Sequence, residues 1–505
     1  MKTLRLLPLL LLVLLGCRST EQATVRKADA ELVFFHLNDV YEIGALEGGT
    51  LGGMARVTTQ IKTLKQKYAH VYPVLAGDFV SPSVIGTVRL DGNRVRGAQM
   101  IDIMNQAGIE YVTFGNHEFD IPYEDLQKRM NESKFEWISG NVRRKTANGI
   151  LPFARFTEGR EKPFPEYTIL EVTGKSGRLF RVGVLAVCLD ANKQDFVQYE
   201  EVFESAQKHY QLLDPQTDAI VALTHLNADQ DRELARRLPG LTLIMGGHDH
   251  EKMSELIGEV ALTKADANAK SAWVHTLSFS KTGKTALSSL SVRIDSSIEP
   301  DPAVAAAVSR WEQRAYQAFR DQGLDPEAPV AVLPEPLDGL ESHIRTQPTN
   351  LGDVLTRSML LAWPAAQAAV VNSGSVRIDD YLSGSITQLD VIRALPFGGK
   401  VLLVEMKGDL LTQVLEAGLK NKGTGGYLQL AQIEKKGGIW HLGQAPIAAA
   451  QTYTLALGDY LLTGKENNMA FLTPEHPGIV RITEPDKDNL GRDIRLALVA
   501  YFQKK

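Results

Sequence analysis

The sequence predicts a two-domain α/β protein, and three observations lead there. The chain has 505 residues, too many for one ordinary hydrophobic core. In its first half, apolar runs of strand character stop repeatedly at an Asp, Asn or His. Between Ser296 and Glu335 the composition changes, first to an Ala-rich amphipathic stretch and then to a Pro-rich one, as a connector would. The expected organisation is a leader over 1–17, a tether over 18–30, a first domain over 31–298, a linker helix and loop over 299–335, and a second domain over 336–505.

At the amino terminus, Lys2 and Arg5 precede the apolar run Leu6–Leu15, which closes in L-L-G-C at Leu14–Cys17. Basic residues, a short apolar core and a small residue before a cut site describe a secretory signal, and the run falls short of the ~20 residues that span a bilayer. L-L-G-C resembles the lipobox of bacterial lipoproteins. That resemblance implies a lipidated Cys17 anchoring the chain to a membrane, with Ser19–Ala30 as a polar tether. Arg18, not Asp, follows the cysteine, so the expected place is the cell envelope: the outer membrane facing the periplasm, or the cell surface. Cys188 then remains as the single other thiol, inside the apolar run Arg181–Leu189, and reads as a buried small hydrophobe with no disulfide partner.

A net charge of -5 with no basic run leaves no electrostatic footprint for a nucleic-acid polymer.

The first domain is read from its strand ends. Leu32–Phe35 leads to Asn38-Asp39, and Val71–Ala76 to Gly77-Asp78. Tyr111–Phe114 leads to G-N-H-E-F-D at Gly115–Asp120, Ala219–Leu223 to Thr224-His225, and Leu241–Met245 to G-G-H-D-H at Gly246–His250. Singly, each has an ordinary reading as a turn, a helix cap or a polar strand end. Together they point to one place, because the carboxyl ends of strands in an α/β sheet converge on a crevice. Asp, Asn and His are the oxygen and nitrogen donors that borderline divalent metals accept, and a carboxylate bridging two ions is the centre of a two-metal hydrolytic site.

In this order the motifs resemble the calcineurin-like metallophosphoesterases, and the spacing, with Gly52-Gly53-x-Ala55-Arg56 and the second half, resembles their 5′-nucleotidase / UDP-sugar hydrolase branch. The resemblance implies a four-layer αββα metal domain followed by an α/β substrate-binding domain, and two divalent ions (Zn, Mn, Fe, Co or Ni). It implies that Asp78 bridges them, that Asp39 and His250 serve the first, and that Asn116, His225 and His248 serve the second. His117 would face the substrate phosphate with Asp120 orienting its ring.

Tyr41 departs from that pattern, standing where the family usually has a metal-binding His. A phenol is a weak ligand at its reference pKa of about 10 unless a highly charged cation draws the proton off. Three roles are open: a phenolate ligand favouring a harder ion, a residue supporting the ligands from behind, or the mark of a weak first site. The supporting role is the expectation, because the six other ligands are intact.

The connector reads as a helix from Asp301-Pro302, amphipathic over Ala303–Gln322 and stopped at Gly323, then the loop P-E-A-P-V-A-V-L-P-E-P. Beyond it come R-T-Q-P-T-N-L-G-D (Arg345–Asp353), V-V-N-S-G-S-V-R (Val370–Arg377), L-P-F-G-G (Leu395–Gly399) and G-D-Y-L-L-T-G-K-E-N (Gly458–Asn467), which resemble the same branch's substrate domain. By that resemblance Arg345 and Arg377 meet the phosphate, Asn372 bonds the base or ribose, Phe397 and Tyr460 clasp the base, and Glu466 takes the ribose-binding place of the usual Asp. The family's N-G-G-G-I-R and G-G-D-G are N-S-G-S-V-R and G-K-E-N here, so the nucleotide preference is the less firmly marked part.

The expected function is metal-dependent hydrolysis of nucleoside 5′-monophosphates by a metal-activated water. The alternatives are a UDP-sugar or cyclic-nucleotide phosphodiesterase with the same metal site, and a non-catalytic nucleotide-binding surface lipoprotein.

Overall fold

The structure, a computed structural model, describes residues 28–504. The leader, Cys17 and most of the tether lie outside the described residues.

Two six-stranded sheets pack face to face in the first domain. In one, β1 (Ala30–Leu37), β2 (Val71–Leu75), β3 (Tyr111–Thr113) and β4 (Glu136–Ile138) run parallel, and Ser271–Phe279 and Thr285–Arg293 add antiparallel strands beside β1. In the other, β5 (Leu179–Cys188), β6 (Ala219–His225), β7 (Leu243–Gly246) and β8 (Val260–Lys264) run parallel, with antiparallel Tyr167–Thr173 and Met253–Ile257 at the edges. Alternation along β1 explains its continuous apolar run. Leu32 and Phe34 join the layer between the sheets, with Val182, Val221, Leu243 and Phe279, whereas Phe35 and Leu37 join the core under the helices. Both faces are covered. Phe180 of one sheet stacks on Phe279 of the other with ring centroids 4.9 Å apart. The five ligand-bearing strands therefore come from two sheets, β1, β2 and β3 from one and β6 and β7 from the other, all of them interior strands.

The connector differs from its expectation in two respects. Asp301 caps the helix Pro302–Arg320 by accepting from the Val304 amide at 3.2 Å, and the chain turns at Gly323 with φ 87°, as read from sequence. That helix is an integral part of the first domain, for Val304, Ala307, Val308, Ala315 and Phe319 are buried in its core. The Pro-rich passage is not a loop. Pro329–Asp338 is a strand paired antiparallel with Tyr381–Thr387, with register shifts between Pro329 and Ala331 and between Leu333 and Leu337. A two-stranded ribbon with an open edge tolerates prolines that a central strand would not.

The second domain is built on a five-stranded sheet in the order Leu428–Ala431, Ala368–Asn372, Thr452–Gly458, Val401–Lys407, Ile479–Thr483. The helices Asn350–Ala362 and Ile494–Gln503 pack on it through Leu351, Leu355, Met359 and Leu498. Among the described residues no helix is long and apolar enough to cross a membrane.

Candidate active site

Four of the predicted ligands sit on left-handed backbone: Asp39 at φ 53°, Asp78 at 58°, His248 at 83° and His250 at 60°. These are turns directly after strands, and such conformations in non-glycine residues concentrate at functional sites. Gly115 is required to be glycine, because a Cβ there would fall 2.1 Å from Asp78 Oδ1.

The structure brings the predicted ligands together. Asp39, Asp78 and His225 are all buried and offer donor atoms within 4.8 Å of one another. His225 Nε2 is 3.2 Å from Asp78 Oδ2 and 3.2 Å from Asn116 Oδ1, and its ring faces that of His248 at 5.4 Å. His225 Nδ1–H donates to the Ala76 carbonyl at 2.7 Å, which turns Nε2 into the cluster. On the other flank, His250 Nε2 lies 3.4 Å from Asp39 Oδ1. Burial opposes ionisation of Asp39, but His250 and His225 hold its carboxyl well below the usual range. Buried carboxylates gathered with imidazoles and a side-chain amide fit a divalent metal centre. Burial disfavours a charged His225, and the carboxylates Asp78 and Asp39 that nonetheless raise it to about 9 would favour a metal cation in the same place. Burial and the neighbouring His225 push His248 down to about 4, the neutral form a ligand needs.

Tyr41 is among these atoms, not behind them. Its hydroxyl lies 3.0 Å from His250 Nε2, 3.2 Å from Asp78 Oδ2 and 3.5 Å from Asp39 Oδ1.

His117 and Asp120 form the predicted pair, with Nδ1–H donating to Oδ2 at 2.7 Å. Burial disfavours the imidazolium, yet Asp120 and Asp78 raise His117 to about 9, so the ring carries a proton at neutral pH. Arg377 reaches across from the second domain to Asp120 Oδ2 at 3.2 Å.

Several supporting residues escaped the sequence reading. Glu118, fully buried, accepts from the amides of Asp78, Phe79, Val80 and Gly115 at 2.6–3.1 Å and so fixes the loop that carries Asp78. Asn38 Nδ2 donates to Asp39 Oδ2 at 2.7 Å, and Asn192 Nδ2 to Asp120 Oδ1 at 2.8 Å. Lys264, with no exposed surface, donates to the Leu226 carbonyl (2.6 Å) and the Gly247 carbonyl (2.7 Å), and pairs with Asp231 (2.8 Å) and Asp249. It thereby ties the loop after β6 to the loop after β7. Glu118 lay within a quoted motif, and its neighbours were the available signal; Lys264 left none.

Two cavities adjoin at Arg345, and one of them opens on this centre. A cleft of about 630 Å³ is lined by Asp78, Asn116, His117, His248, His250 and Arg345. A second, of about 830 Å³, is lined by Arg345, Asn372, Arg377, Phe397, Tyr460 and Glu466, which are the predicted substrate residues. Arg345 borders both. Phe397 and Tyr460 are 62% and 43% exposed, and both rings line this second cavity. The Arg377 guanidinium lies over the Phe397 ring at 5.9 Å. Asn372 and Glu466 are bonded to each other at 3.1 Å.

The family model of calcineurin-like phosphoesterases matches residues 32–252, and that of the 5′-nucleotidase C-terminal domain matches 329–473. The chain belongs to the calcineurin-like phosphoesterases that carry a 5′-nucleotidase C-terminal domain. It is a phosphoric ester hydrolase. Among similar proteins, the trifunctional nucleotide phosphoesterase YfkN of Bacillus subtilis is 27% identical over 80% of this chain, which spans 29% of that protein. The 5′-nucleotidase of Bos taurus is 24% identical over 80% of this chain and 75% of its own length. In fold, the chain is similar to a 5′-nucleotidase precursor from Thermus thermophilus, with a TM-score of 0.65, 22% identity, and coverage of 94% of this chain and 96% of that one. Membership of this phosphoesterase family implies divalent metal ions, and Asp39, Asp78 and His225 form a candidate site for them.

Proposed function

We propose that the chain hydrolyses nucleoside 5′-monophosphates to nucleoside and phosphate. The observation that carries this reading is Arg345, a cation bordering both the metal-donor cleft and the cavity with the exposed aromatic pair. A molecule with a phosphate at one end and a planar base at the other matches that pair of cavities.

Two divalent ions would be held by Asp39, Asp78 and His250 with Tyr41 beside them, and by Asp78, Asn116, His225 and His248; when bound, they supply positive charge for the phosphoryl oxygens and acidify a water. Arg345 and Arg377 bind and orient the phosphate through planar donor forks. His117, protonated and oriented by Asp120, hands its proton to the departing 5′-oxygen. Phe397 and Tyr460 stack on the base, and Asn372 and Glu466 offer donors and acceptors to its edge or to the ribose. The L-L-G-C sequence at Leu14–Cys17 supports export and lipid anchoring at the cell envelope, where such an enzyme would recover nucleosides from phosphorylated forms that do not cross membranes.

Phosphate release from AMP, a cyclic nucleotide and a UDP-sugar tests the reading directly. Turnover of AMP above the others is expected, lost on chelation, restored by divalent ions and abolished by His117→Ala. A metal-loaded protein that cleaves none of these esters overturns it.

A further inference from the structure

Asp459 stands where the two ring-bearing loops of the larger cavity meet. It precedes Tyr460, while Gly399 and Lys400 come just after Phe397, and all five line that cavity. A reciprocal pair of bonds joins the loops at this point. The Asp459 amide donates to the Lys400 carbonyl at 3.0 Å, and the Lys400 amide donates to Asp459 Oδ2 at 2.9 Å. The carboxylate is thereby held in one orientation beside both rings.

One of its two oxygens is left uncommitted. Among the described residues nothing donates to Asp459 Oδ1, and no Lys or Arg forms an ion pair with the carboxylate; the Lys400 ammonium pairs with Glu484 instead. Gly399 keeps that oxygen uncovered. Its φ is 114°, and a Cβ there would fall 2.9 Å from Oδ1. A half-buried wall position thus presents a single, fixed hydrogen-bond acceptor next to the two rings.

A carboxylate offers acceptors only. Purine edges differ in what they present to it: adenine carries the N6 amino donor where guanine carries the O6 carbonyl acceptor, and hypoxanthine has the same carbonyl. A carboxylate that selects guanine uses both oxygens, one for N1–H and one for the N2 amino group. Here Oδ2 is taken by the Lys400 amide, which leaves one acceptor for one amino group. Stacking between rings tolerates any base, so it cannot make this distinction. We infer that Asp459 determines base selectivity, its Oδ1 accepting from the 6-amino group of an adenine held by Phe397 and Tyr460. A 6-oxo purine would set a carbonyl oxygen against Oδ1 with no proton between them, leaving both acceptors unpaired. The inference rests on the reading of the chain as a nucleotidase and adds which nucleotides it favours.

The test is kcat/KM for AMP and for IMP, read on the wild type and on Asp459→Asn with the full chain and its metals. The asparagine carbonyl can keep the bond from the Lys400 amide, and its NH2 then stands where Oδ1 stood, as a donor suited to the 6-carbonyl. The wild type is expected to favour AMP about 10-fold, the measure of one hydrogen bond to a charged group, and the variant to lose or reverse that preference. Each protein is compared with itself on two substrates, so a smaller active fraction cancels from the ratio. Equal use of AMP and IMP by the wild type, or an AMP preference that Asp459→Asn leaves intact, overturns the inference and leaves the nucleotidase reading standing. A wild type that releases phosphate from neither ends both. Should Asp459→Asn fail to fold, as judged by its thermal transition, wild-type binding of adenosine against purine riboside, which lacks the 6-amino group, decides: tighter adenosine binding supports the inference, and equal affinities overturn it.

Discussion

Asp379 of the second domain meets the Nδ1 side of His250 in the first domain twice, through its backbone carbonyl at 3.0 Å and its carboxylate at 3.1 Å. The contact fixes the imidazole with Nδ1–H outward and Nε2 toward Asp39 and Tyr41. One domain thus sets the tautomer of a candidate ligand in the other. Losing such a partner costs about 10–100-fold in metal affinity, and Asp379→Ala keeps the carbonyl contact, so a loss near 10-fold is expected. Competition with a chelator measures it; an affinity equal to the wild type would show that the carboxylate contributes nothing.

The exposed pair Phe397 and Tyr460 gives a prediction that separates base recognition from chemistry. Stacking contributes about 1–3 kcal/mol per base, so either ring replaced by Ala should raise KM for AMP by about an order of magnitude. Turnover of a small phosphate ester without a base should be unaffected. Equal losses on both substrates would place the rings in the fold rather than in recognition.

Lys264 is a buried cation between Asp231 and Asp249. Lys264→Met removes it and strands the two carboxylates. Breaking a buried pair this way costs about 3–5 kcal/mol, and the Leu226 and Gly247 carbonyls lose a donor as well. Urea unfolding should show a lower midpoint at an unchanged slope. A variant as stable as the wild type would contradict the assignment of Lys264 as the tie between the two loops.

Glu312, on the helix Pro302–Arg320, lies against Gly44. Burial, with Glu42 and Glu327 nearby, pushes its carboxyl up from 4.5 to about 7. Between those values the folded protein keeps a proton that the unfolded chain has released, so stability falls as pH rises through that window. Glu312→Gln removes this dependence. Melting temperatures of the two proteins should converge toward pH 4.5 and separate toward pH 8, with the variant the more stable; a gap independent of pH would refute the shifted carboxyl.

Much of the architecture could be read from residue order. Each apolar run before Asp39, Asp78, Asn116, His225 and His248 proved to be a strand, because a strand buried on both faces leaves an uninterrupted apolar signature. That these strands divide between two sheets came only from the family resemblance, which implied a four-layer αββα domain, since pairing partners far apart in sequence leave no local pattern. The Pro-rich passage misled for a related reason, as proline reports a missing donor and not whether the opposite strand needs one. In the site, residues whose types announce metal or phosphate chemistry were legible. Glu118, Asn192 and Asp379 were not, because their work is done on backbone amides or on side chains that only folding brings near.

Left-handed backbone at Asp39, Asp78, His248 and His250 has a consequence for anyone evolving this protein. Such a conformation costs a non-glycine residue of order 1–3 kcal/mol, and glycine would relieve it at each position. A screen for heat tolerance alone therefore rewards glycine at the four places where a screen for turnover must retain a donor atom. The two selections pull the same codons in opposite directions, and stabilised variants are better sought in the helices and sheet edges away from these turns.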